Sequence, residues 1–166
     1  MAKRKRLKYE EIKQGDIFKV IFDAPYFTYA HELTDAAMAF YDLKTDIEIE
    51  SLNKIIELPI LFILKGGADK VLTGEWERLG NIELEDKLKK NPLFYTKENY
   101  RETDDGAILS YYRINDNGVY RQGTEEEVEN LEYGFIWNSS EIEERIKNHY
   151  NGIKFVLDPY YKILPK

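Results

Sequence analysis

The sequence predicts an α+β domain: a curved, mostly antiparallel sheet, with barrel-like closure as one form of it, and three or four short helices against its face and ends. Three observations lead there. Stretches that alternate at a period of two recur between residues 17 and 137, separated by turn-forming residues. Aromatic residues are abundant, 13 Tyr, 8 Phe and 2 Trp, and favour pleated, half-buried surfaces. Helical periodicity is confined to short segments, and the clearest of them lies near the C-terminus.

A chain of 166 residues suits one domain with a full core. It divides into a basic, flexible arm over 1–14 and a single α+β domain over 15–166. Apolar residues at 43% and charged residues at 33% describe an ordinary globular protein. There is no cysteine, which excludes disulfides, thiolate metal sites and a cysteine nucleophile. No apolar run reaches the roughly 18 residues of a membrane span, and the basic start MAKRKRLK lacks the apolar region of a secretory signal, so a cytoplasmic location is expected. Net charge is −7. With Lys3, Arg4, Lys5, Arg6 and Lys8 set aside, 19 basic residues stand against 31 acidic ones, leaving the body at −12. Such a body is not expected to bind nucleic acid directly; it suits a basic partner, or serves solubility alone.

In chain order, Ile17–Phe22 puts Phe18, Val20 and Phe22 on one face, Asp23-Ala24-Pro25 turns, and Tyr26–Leu33 brings Phe27, Tyr29, His31 and Leu33 together, a hairpin. A turn at 34–36 leads into a strand from Met38 to Leu43, closed by Lys44-Thr45-Asp46. Ser51 is placed to cap a short helix through Leu52, Ile55 and Ile56 that Pro59 ends. The most continuously apolar run, Leu58–Leu64, broken by Pro59 and stopped by Gly66-Gly67, marks Ile60–Lys65 as a central strand. A turn of helix at 68–73 follows, then a strand carrying Trp76 as a core anchor.

Leu84–Lys90 reads as a short amphipathic helix with Leu84 and Leu88 inward, stopped at Asn91-Pro92, and the polar stretch 96–106 as a surface loop. Ala107–Ile114 is a strand. Asn117-Gly118 is the strongest hairpin signal in the chain, because a type I′ turn needs positive φ at both positions, and Val119–Gln122 returns. Thr124 caps an acidic helix toward Asn130, with Glu125, Glu126 and Glu127 at its positive end. Tyr133, Phe135 and Trp137 alternate as a strand. Ser140 and Glu143 have capping-box spacing at the start of the last helix, whose buried stripe is Ile142, Ile146 and Tyr150 and whose stop is Asn151-Gly152. Ile153–Leu157 reads as a last strand.

Chemistry-bearing motifs are scarce. The two histidines, His31 and His149, lie far apart, and neither H-E-x-x-H nor H-x-x-E-H occurs, so no metal site and no cofactor are expected. His31 belongs to an apolar strand face, where a structural role is the simpler reading, and His149 suits the negative end of a helix. There is no G-x-S-x-G, P-loop or G-x-G-x-x-G. Carboxylates such as Asp42 and Asp46, or Asp104 and Asp105, could be paired for acid–base work, but solvated turn residues explain them more simply.

An ordered series of motifs nonetheless resembles a known family. Lys3–Arg6 leads into Gly15-Asp16-Ile17-Phe18, and then come Ala39-Phe40-Tyr41-Asp42-Leu43-Lys44-Thr45-Asp46, Pro59-Ile60-Leu61-Phe62, Gly74-Glu75-Trp76 with Leu79-Gly80, Leu84-Glu85-Asp86-Lys87-Leu88, and Gly134-Phe135-Ile136-Trp137 before the last helix. This order is similar to that of the immunity protein 26 family of bacterial polymorphic toxin systems, over residues 4 to 152. The resemblance implies a cytoplasmic protein that binds and neutralises a cognate toxin domain by stoichiometric occlusion, without turnover. Some relatives carry a phosphotriesterase label, so a phosphotriesterase-like hydrolase is the alternative, beside a general protein-interaction domain. For a basic toxin domain such as a nuclease, the candidate contacts are Asp42, Asp46, Glu125, Glu126, Glu127 and Glu129. A solvated helix start is the simpler reading of the last four.

Overall fold

The alternation that begins at Ile17 becomes a sheet in the computed structural model, which describes residues 6–102, 104–106 and 108–155. In chain order the elements are β1 (Asp16–Ile21), β2 (Phe27–Glu32), β3 (Ala37–Tyr41), α1 (Leu52–Ile56), β4 (Ile60–Gly66), α2 (Ala68–Thr73) and β5 (Glu77–Asn81). There follow β6 (Phe94–Glu102), β7 (Ile108–Asp116), β8 (Val119–Gly123), α3 (Glu125–Val128), β9 (Glu132–Tyr133), β10 (Ile136–Trp137) and α4 (Ser139–Tyr150). The strands form two sheets, ordered β10-β4-β3-β2-β1-β5 and β8-β7-β6-β9, and neither closes into a barrel. Pairing is antiparallel except where β10 joins β4 and β9 joins β6. The α+β class and the antiparallel character are those the sequence predicts.

The first sheet is buried on both faces, which is why β2 and β3 are covered along their whole length. On one face Phe18, Val20, Ala30, Met38, Phe40 and Leu64 pack with Trp76 and with Ile142 and Ile146 of α4. On the other, Ile17, Phe27, Tyr29 and Tyr41 pack with Ile55 of α1. Trp76 has no exposed surface and meets the Phe40 ring edge-on at 5.9 Å, so it anchors the core as expected, although it lies just before β5 rather than within it. Complete burial of a side chain such as Phe18 or Phe40 contributes roughly 1.5–3 kcal/mol. Upstream of β1, Leu7 is seated in the same core, its N–H donating to the Leu72 carbonyl at 3.3 Å, and a 3-10 turn spans Tyr9–Glu11.

The diglycine that stops the apolar run has a double cause. Gly66 and Gly67 hold φ of 132° and 87°, in the left-handed region that favours glycine. A Cβ on Gly66 would also sit 2.0 Å from the Trp137 carbonyl oxygen, and one on Gly67 2.6 Å from the Trp76 ring. Strand β4 can thus pass close beside β10 and turn at once into α2. Strand β4 lies between β3 and the two-residue β10, so it is next to a short edge strand rather than central.

Several sequence expectations change. The polar stretch 96–106, expected as a loop, supplies most of the nine-residue β6, which pairs with β7 from Phe94↔Asn115 to Glu102↔Ile108. The Asn117-Gly118 turn, with φ of 50° and 94°, forms as predicted and aligns β7 with β8. A long hairpin pairs its backbone groups internally, so polar side chains do not prevent a strand there. Leu84 and Leu88 are buried as expected, yet only a 3-10 turn, Asp86–Leu88, forms instead of a helix. The Tyr133–Trp137 strand is two strands in two sheets: Tyr133 pairs with Tyr95 of β6 and Trp137 with Gly66 of β4. The cap of α4 is Asn138 with Glu141, not Ser140 with Glu143. Ser51 precedes α1 without a side-chain cap bond. The expected last strand lies partly outside the described residues, and 153–155 are not in a strand.

Candidate functional site

Buried charge marks where this fold departs from a simple apolar core. One residue beyond the Ile17–His31 pair, Asp16 and Glu32 occupy the same face of β1 and β2. Like charges so placed repel. Asp16 has no exposed surface and is fully satisfied: Oδ1 accepts from Arg78 Nη2 at 2.6 Å and from Asn81 Nδ2 at 2.8 Å, and Oδ2 from the Lys13 N–H at 2.9 Å. Glu32 is 8% exposed, and its Oε2 has no hydrogen-bond partner among the described residues. Burial, helped by the Asp16 charge, raises its carboxyl from the usual range to about 8. A pocket of about 70 Å³ opens beside Glu32, lined by Tyr9, Ile12, Ala36, Met38, Gly66 and Ala68.

A second buried acid, Glu143 of α4, is paired instead. It accepts from Trp76 Nε1 at 3.0 Å and from Lys70 Nζ at 2.7 and 2.8 Å, fastening α4 to α2 and to the core tryptophan. Ser139 repeats the tie, donating through Oγ to Asp69 at 2.6 Å and to the Gly67 carbonyl at 3.1 Å. Arg145 holds Glu132 bidentately at 2.6 and 2.9 Å while stacking 4.5 Å from the Phe62 ring. These groups position α4.

The histidines stand on different sides of the first sheet. His31 is 1% exposed, and its Nδ1 lies 3.1 Å from the Tyr41 hydroxyl. Burial pushes its imidazole down and the Tyr41 hydroxyl up. His149 rides on α4, the helix that covers the opposite face, and its Nε2 is 3.6 Å from Asp42 Oδ1. Among the described residues no three His, Asp or Glu side chains are grouped to hold a metal ion.

The sequence-nominated acids fall into two surface groups. Asp42 follows β3 and is exposed. It accepts from the Tyr150 hydroxyl at 3.0 Å, and burial, with this bond and the Asp42 charge, pushes the tyrosine hydroxyl up. Asp46 is exposed in the same 42–50 loop, near the exposed Ile47. Glu125, Glu126, Glu127 and Glu129 gather on α3 and just after it, all exposed. Glu127 closes the Thr124 capping box and pairs with Arg121 at 2.9 Å, and these contacts hold its carboxyl below the usual range. Glu125, Glu126 and Glu129 have no ion-pair partner among the described residues. No ion pair or hydrogen bond among the described residues joins the two groups.

The Asp16–Glu32 pair is not legible from residue types, because neither side chain belongs to a chemical motif. The signal was positional: Glu32 falls on the Thr28-Ala30 face of a strand whose residues are all buried, where a carboxylate is out of place.

Fold and site together define an acidic α+β domain with one buried carboxyl that has no partner among the described residues and exposed carboxylates on its surface. The family model described as Immunity protein 26 matches residues 13–106, more than half of the chain. The chain belongs to the immunity protein 26 family. The matched span takes in β1 to β6, with Asp42 and Asp46, while α3 and its glutamates lie beyond it. No curated protein and no solved structure matches the chain.

Proposed function

We propose that this protein binds a cognate toxin domain and neutralises it by stoichiometric occlusion, with no turnover, in the cytoplasm of the cell that makes both. Family membership supports the immunity role. The observation that carries the binding mode is the edge strand β8. At its start Val119 and Tyr120 are 72% and 52% exposed, and past its end α3 and the residue after it present Glu125, Glu126 and Glu129, which have no ion-pair partner among the described residues. Apolar anchors at one end of an edge strand and concentrated negative charge at the other suit a basic partner, such as a nuclease domain whose own site attracts anions. The 42–50 loop, with Asp42, Asp46 and Ile47, is a second contact surface of the same character.

The test is complex formation with the toxin domain encoded beside this chain, with association rates followed from about 50 to about 500 mM salt. A 1:1 complex whose association slows steeply with salt is expected. Replacing Glu125, Glu126 and Glu129 together by Lys should slow association by about tenfold or more at low salt. Absence of a complex overturns the function, and an unchanged rate in the triple variant overturns this face.

A further inference from the structure

The Asp16–Glu32 corner holds two carboxylates and one guanidinium. Arg78, with Asn81 and the Lys13 N–H, satisfies Asp16 completely, while the Glu32 carboxyl makes no hydrogen bond to a described residue. A carboxyl more than nine-tenths buried with no partner among the described residues is costly, and here the residue that carries it lines a pocket. The walls are the apolar surfaces of Ile12, Ala36, Met38 and Ala68, the Gly66 backbone and the outer Tyr9 ring, which is 65% exposed at the rim. Met38 stands directly across β2/β3 from Glu32, so apolar wall and acidic floor meet at the same register position.

We infer that this pocket is a receptor for a primary alkylammonium group, which the Glu32 carboxylate binds as its missing counter-ion while Ile12, Met38 and Ala68 take the methylene stem. A free volume of about 70 Å³ admits a slender chain ending in a compact charge. A planar guanidinium needs room and acceptors for its two-pronged fork, whereas an ammonium is a point charge on a flexible stem. In the toxin complex proposed above, the group is supplied by a lysine side chain of the toxin. That use rests on the toxin-binding reading, but the pocket does not.

The pocket is tested on the full chain alone. n-Butylammonium, a lysine side chain cut at its base, is titrated at pH 8 while the methyl resonances of Ile12, Ala36, Met38 and Ala68 are followed. n-Butanol is the neutral control and Glu32→Gln the variant. The expected result is saturable shifts confined to those methyls with butylammonium. Butanol, or the E32Q protein, should need at least about tenfold more ligand for the same shift. Glu32→Gln keeps the shape and removes the charge, and E32Q remains folded because it no longer buries an ionisable carboxyl. No saturable shift, or equal response to butanol and in E32Q, overturns the pocket. A toxin that binds wild type and E32Q with equal affinity overturns the toxin's lysine as the source of the ammonium. A wild-type protein that fails to bind toxin at all sinks the preceding proposal, and the butylammonium titration still decides the pocket.

Discussion

The buried Glu32 gives this protein a pH dependence that can be worked out and then removed. Burial, helped by the Asp16 charge, pushes its carboxyl up to about 8 in the fold, against 4.5 for an ordinary glutamate. Between those limits the folded state retains a proton that the unfolded chain has released. The sign follows: stability contributed by the neutral carboxyl is complete below pH 4.5, falls as pH rises, and is lost once the folded group ionises near pH 8. The slope is about 1.4 kcal/mol per pH unit, so the full interval amounts to roughly 3–5 kcal/mol. Glu32→Gln has no such proton to lose. Urea unfolding of both proteins at pH 5, 6.5 and 8 should therefore show near-equal stabilities at pH 5 and E32Q ahead by roughly 3 kcal/mol or more at pH 8. A difference that stays constant from pH 5 to pH 8 would refute the reasoning, because it would mean that Glu32 keeps the same proton affinity folded and unfolded.

Three further outcomes follow from the packing. Gly66→Ala drives a Cβ to 2.0 Å from the Trp137 carbonyl at φ 132°, whereas Gly118→Ala meets nothing within 4 Å at φ 94°. Urea midpoints should show a loss of about 4 kcal/mol or more for the first and only about 1–2 kcal/mol for the second. Glu143→Ala leaves the Trp76 indole N–H and the Lys70 ammonium without their shared acceptor, and should cost about 2–4 kcal/mol in unfolding followed by tryptophan fluorescence. Glu143→Gln, which still offers the indole an acceptor, should lose less. Asn138→Ala removes the observed cap of α4 and should cost about 1 kcal/mol, while Ser140→Ala should change stability by less than about 0.5 kcal/mol. Equal costs for the two would return the cap to Ser140.

Where local chemistry decides the structure, the sequence was a good guide. Asn117-Gly118 needs no distant residue to make its turn, and Thr124 with Glu127 closes a cap within four residues. The face assignments of β1 and β2 followed from alternation alone, because side chains two apart share a face: Phe18 and Val20 meet in one cluster, Phe27 and Tyr29 in the other. Readings failed where a distant partner decides. Nothing in the polar stretch 96–106 reveals that β7 will pair with it. Glu143 has the spacing of a capping residue, but the indole of Trp76, 67 residues away, takes it into the core. Of the candidate site, the surface acids could be named from composition. The Glu32 pocket could not, since it depends on Tyr9, Met38 and Gly66 converging from three separate segments.

The short passage from β9 to β10 has a mechanical consequence. Tyr133 is laddered into one sheet and Trp137 into the other, and only Gly134, Phe135 and Ile136 separate them. Those few residues extend no more than about 3.5 Å each, so the connection contains almost no slack. The next residue, Asn138, begins the helix that Glu143 and Ser139 clamp to the first sheet. Pulling the sheets apart must therefore break a parallel ladder before any loop can straighten. Force applied to the β8 edge reaches α4 through a taut seam rather than a hinge. Extra residues inserted after Gly134 should loosen the two sheets from one another, while the same insertion at Gly118 should merely lengthen a turn.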